Sequence, residues 1–103
     1  MNTFRMALCE GRHETPSELI SDGAVFNYSL TPDQIANPSL LKDLAGDRLI
    51  QVGLTKGDRL NLVVTGLTIA LVSTMNACRD LGIELNLLHY NRDTNDYIKQ
   101  IIG

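Results

Sequence analysis

Leu60-Asn61-Leu62-Val63-Val64 runs into Thr65-Gly66-Leu67-Thr68 and then into a stretch that reaches Leu81 and Gly82. The apolar, partly β-branched opening suits a buried strand. Beyond the turn, Leu67, Ala70, Leu71, Met75, Cys78 and Leu81 recur at helical spacing, with Ile69 and Val72 widening the apolar face. Gly82 stands where a helix takes its left-handed terminal residue, and Ile83 to Tyr90 reads as the next strand. Strand, helix and strand over residues 60–90 have the length of a right-handed crossover, so the two strands are expected to be parallel.

Upstream, Lys56-Gly57-Asp58 is a turn. Before it, Thr31-Pro32-Asp33-Gln34 pairs an N-cap candidate with Pro at the first helical position and Gln three residues after the cap. Asn37-Pro38-Ser39 offers a second start, and the leucines from Leu40 predict a longer helix over 38–52, weakened at Gly46. Phe4 to Cys9 is long enough for a strand and too short for a helix, and Ala24 to Leu30 reads as a further strand. Downstream, Asn91 to Asp96 is rich in turn formers, and Tyr97 to Ile102 can return as an antiparallel edge strand. The expected fold is a single α/β domain over 1–103, a small Rossmann-like open sheet of four or five strands, partly parallel, with a C-terminal β-hairpin.

Composition limits the function. The chain has 103 residues, 44% hydrophobic and 20% charged, which is ordinary globular usage and allows one core. A net charge of -3 gives long nucleic acid nothing to hold, whereas a small anion needs only a few N–H groups and one or two arginines. Cys9 and Cys78 lie in apolar runs and read as reduced core thiols, which points to the cytoplasm. Neither a secretion signal nor a membrane span is expected.

In open α/β sheets ligands bind beyond the carboxyl ends of the strands, where the free N–H groups of a helix start favour an anion. Here that places Thr65, Gly66, Leu67 and Thr68 in a candidate phosphate site, with both threonine hydroxyls as donors. The plainer reading is that Thr65 caps the helix and Gly66 makes the turn. The spaced glycines of a dinucleotide fingerprint and the Gly-Lys-Ser/Thr of a P-loop are missing, which argues against NAD, FAD and ordinary ATP hydrolysis, and no cofactor is expected. Glu10-Gly11-Arg12-His13-Glu14 follows the first strand and would share that sheet edge. Arg12 could fork onto phosphate, His13 could act as acid or base, and Glu10 or Glu14 could orient the imidazole. His89 ends a strand at the same rim. A zinc site from Cys9, His13 and His89 lacks the usual close ligand spacing, so no metal is expected.

The strand-Thr65-Gly66-Leu67-Thr68-helix segment resembles the second motif of the CARF sensor domains of CRISPR systems. Arg12-His13 after the first strand, Gly57-Asp58 before the third, and Ala70, Cys78 and Gly82 resemble the small CRISPR-associated proteins of ring-nuclease type. The resemblance covers about half the chain and differs in detail: Glu14-Thr15-Pro16 follows His13 where Pro-Gly is usual, and one glycine, Gly66, stands where two are common. It implies a homodimer that binds a cyclic oligonucleotide across its two-fold axis, contacted by both copies of residues 65–68 and of the Arg12-His13 loop, while Glu10, Gly11 and His89 are the further ligand-site candidates at that rim. It further implies metal-independent cleavage by Arg12 and His13, or sequestration without cleavage, as a viral protein could use against anti-phage defence. The alternative is a small interaction module whose surface lies around Val25, Phe26 and Tyr28, or along Tyr97 and Ile101.

Overall fold

The computed structural model describes residues 1–10 and 15–103. The first strand, β1 (Thr3–Cys9), is followed by a single 3₁₀ turn at Ser17–Leu19 and a short strand, β2 (Ala24–Phe26). Helices α1 (Pro32–Ile35) and α2 (Pro38–Val52) lead to β3 (Arg59–Val63), and α3 (Thr68–Leu81) joins β3 to β4 (Glu84–Asn91) and the last strand, β5 (Asp96–Ile101). The five strands form one sheet in the order β2-β1-β3-β4-β5. All neighbours are parallel except β4 and β5, which form the expected hairpin.

Local signals explain the helix ends. Thr31 and Gln34 form a reciprocal capping box on α1, and the Asn37 side chain accepts from Leu40 N–H to start α2 behind Pro38. α2 stops at Gly53 and α3 at Gly82, both left-handed, where a side chain would be strained.

Register divides the sheet into two faces. Phe4, Leu60 and Leu85 stand side by side, as do Met6, Leu62 and Leu87, and these pack under α2 and α3, which lie against each other. The opposite face carries Arg5, Asn61 and Asn86 in one row and Ala7, Val63 and Leu88 in the next. There Asn86 Nδ2 donates to Asn61 Oδ1 at 3.0 Å, so the buried amide of Asn86 is satisfied.

One expectation needs adjustment. The second strand ends at Phe26 rather than Leu30, because β1 ends at Cys9 and the last ladder bond is Glu10 N–H to Phe26 C=O. The chain over 27–29 is exposed and, among the described residues, has no strand beside it. The strand's direction, which sequence alone left open, is parallel to β1.

Asp58 pins the amino-terminal end of the sheet. Its buried carboxylate accepts from Asn2 N–H and Thr55 N–H, each at 2.9 Å, and from the Thr55 hydroxyl at 3.1 Å. These donors, the Asn2 backbone first, hold its pKa below the usual 3.8. A carboxylate depressed on folding adds stability that is present above its unfolded pKa and lost as pH falls through the folded one. Asp58→Asn is therefore expected to flatten the fall in stability below about pH 4. Urea midpoints measured down the acid limb check this, and a variant curve parallel to wild type would refute it.

Candidate functional site

The chain leaves β1 toward one edge of the sheet and leaves β3 toward the other, so the switch in winding direction falls between these two strands. A crevice at their carboxyl ends is the favoured ligand position in such sheets. Two clefts open there, and Thr65 lines both.

The larger, about 660 Å³, is bounded by Pro16, Val63, Val64, Thr65, His89, Tyr90, Asn95 and Tyr97. No carboxylate is among these lining residues, although the chain is acidic overall. The smaller, about 350 Å³, lies beside β1 and β2 and includes Glu10, Thr15, Asn27 and Arg48.

The turn 65–68 divides into two roles. Thr65 is buried, and its hydroxyl donates to Cys9 C=O at 2.9 Å and accepts from Cys9 N–H at 3.1 Å. It is therefore neither the helix cap nor a spare phosphate donor: it stitches β1 to β3 where their paired register ends at Ala7 and Val63. Leu67 occupies the N-cap position in an extended conformation, without a side-chain cap. The first-turn N–H groups of α3 thus lack the help that Thr31 and Asn37 give α1 and α2. Gly66 (φ +97°) and Thr68 are exposed beside them.

Comparison with known protein families, with curated proteins and with solved structures finds no match. The site must be read from its own geometry.

Glu10 is exposed at the end of β1 and lines the smaller cleft. Gly11, Arg12, His13 and Glu14 lie outside the described residues. His89 reaches the rim of the larger cleft, but its Nε2 lies 2.8 Å from Gln100 Oε1, and strand alternation puts its ring on the face opposite Tyr90. The pairing with Gln100 leaves His89 better suited to holding the hairpin than to meeting a ligand.

Two features escaped sequence reasoning. Arg48, one of several charged residues on α2, borders the smaller cleft, where its Nε donates to Ala24 C=O at 2.9 Å and covers an edge of β2. Tyr90 and Tyr97 face each other across β4 and β5 beside the larger cleft. Period-two alternation in residues 83–90 and 97–102 could have placed both tyrosines on one face, given the hairpin. Nothing in the spacing of α2 singles out Arg48.

Cys9 and Cys78 are buried and not joined in a disulfide. Burial pushes the Cys78 thiol up to about 12, so it behaves as an inert core group at neutral pH. Among the described residues, no group of three or more His, Cys, Asp or Glu is placed to hold a metal ion. Among the same residues, no helix is long and apolar enough to cross a membrane.

Proposed function

We propose that this protein binds a phosphate-bearing nucleotide at the carboxyl edge of its parallel sheet, with the phosphate at the start of α3. The observation that carries the reading is the helix start without a side-chain cap, exposed at Gly66 and Thr68, beside a cleft whose described lining has no carboxylate. Arg48, which with Thr65 lines the smaller cleft, is a cation at that neighbouring cleft. The resemblance to CARF and ring-nuclease-type proteins makes a cyclic oligonucleotide the ligand to test first. It also supplies the homodimer and the choice between cutting and sequestering. Cutting would rest on Arg12 and His13.

Thermal unfolding with cyclic di-, tri- and tetranucleotides tests this directly, since a ligand of the folded state alone must raise the midpoint. At a hundredfold excess over Kd the stabilisation is about 2.7 kcal/mol, a rise of roughly 10 °C for a domain this size. Thr68→Ala and Arg12→Ala are expected to reduce the shift, and recovering the ligand whole or cut separates sponge from nuclease. If no ring moves the midpoint, the cyclic-oligonucleotide reading fails.

A second reading, a protein-interaction module, draws on a specific feature of β5. Ile98 and Ile101 are 55% and 78% exposed on the strand at the edge of the described sheet. Of the other surface considered for that role, Val25 and Phe26 are each only 1% exposed and Tyr28 alone is open, at 46%, which leaves β5 the stronger basis.

A further inference from the structure

We propose that Tyr97 and Tyr90 form a stacking platform in the larger cleft, so that the ligand is one that carries a planar heteroaromatic base. This rests on the nucleotide reading above and adds where the base lies. The two residues are directly paired across the β4–β5 hairpin, with ring centroids 5.5 Å apart and planes inclined at 59°. A cross-strand aromatic pair of this kind also steadies a hairpin, and that role alone would need no cleft.

Three observations go beyond hairpin support. Tyr90 remains 51% exposed, and its hydroxyl donates to Asn95 Oδ1 at 2.6 Å, so an accessible ring is tied to the hairpin turn. The floor therefore exists before any ligand arrives, which lowers the ordering cost of stacking. Next, the cleft has the size of a small-molecule site, and apolar Val63, Val64 and Pro16 stand around the tyrosines with a few polar groups among them. Finally, Asn95 is the one non-glycine with positive φ (54°) among the described residues. Its Oδ1 is used by Tyr90, and its amide keeps two N–H donors that suit a ring nitrogen or carbonyl at a base edge.

Of the turn that leads into α3, it is Thr65 that borders the tyrosines' cleft. Base stacking on an aromatic side chain tolerates any base, so the platform selects nucleotides over other phosphates rather than one base over another.

The test compares adenosine 5′-phosphate, adenosine and ribose 5-phosphate by calorimetric titration, with the tyrosine ring resonances followed by NMR. Adenosine 5′-phosphate is expected to bind at least about tenfold tighter than ribose 5-phosphate and to move the Tyr90 and Tyr97 ring signals. Tyr97→Leu should cut the preference for adenosine 5′-phosphate over ribose 5-phosphate severalfold, and Tyr97→Phe should retain most of it. Circular dichroism checks that each variant is folded, and the wild-type comparison stands even if Tyr97→Leu is not. Equal affinity for the two phosphates would overturn the platform and leave phosphate binding intact. Binding of adenosine as tight as adenosine 5′-phosphate, with both ring signals moving, would keep the platform and remove the phosphate reading. Absence of binding by all three would overturn both.

Discussion

Phe26→Ala is expected to lower stability by about 4 kcal/mol, and the thermal midpoint by roughly 15–25 °C. Phe26 is the largest fully buried side chain, at 1% exposure, and it lies on a strand only three residues long. β2 is held by its parallel register with β1 at Ala7–Ala24 and Cys9–Phe26, by a few bonds from the 20–23 turn and Glu10, and by packing on α2. With so short a ladder, burial supplies much of what keeps this edge in place. A domain of this length has only about 5–15 kcal/mol in total, so the loss is a large fraction of it. Phe26→Leu keeps most of the volume and should cost about 1 kcal/mol. Denaturant melts of the two variants check the estimate. If Phe26→Ala were instead as stable as wild type, the residue would not be a core anchor, and a binding role for the 25–28 region would return.

The crossover over residues 60–90 was legible because its signals are local. Strand composition, helical spacing from Leu67 to Leu81 and a left-handed Gly82 lie within thirty-odd residues, and no distant part of the chain alters them. The Thr31 and Asn37 starts were legible for the same reason, since a cap is satisfied within three residues. Sheet order was not legible: placing β1 between β2 and β3 depends on which edges bury best, which no local pattern reports. The site was only partly legible. The position of the 65–68 turn at the carboxyl edge followed from the crossover, but the tyrosine platform required the β4–β5 register, and Arg48 required α2 to be laid beside β2.

Thr65 shows the limit most clearly. Its type and position fit a helix cap or a phosphate donor, yet its hydroxyl partner is Cys9, fifty-six residues away in sequence. Thr65→Val, which keeps the shape and removes the hydroxyl, is expected to cost about 2–3 kcal/mol. The Cys9 N–H and C=O would both lose this hydroxyl, at a residue that is 3% exposed. Thr65→Ser keeps the hydroxyl and should recover most of the loss. The midpoint of Thr65→Val should fall by roughly 10 °C or more. The same substitution also separates architecture from binding. Because the hydroxyl is turned to Cys9, ligand affinity measured well below the lowered midpoint should change little in Thr65→Val, whereas Thr68→Ala should weaken it without a comparable loss of stability. A Thr65→Val protein as stable as wild type, but with its ligand lost, would reverse that assignment and make the hydroxyl a ligand contact.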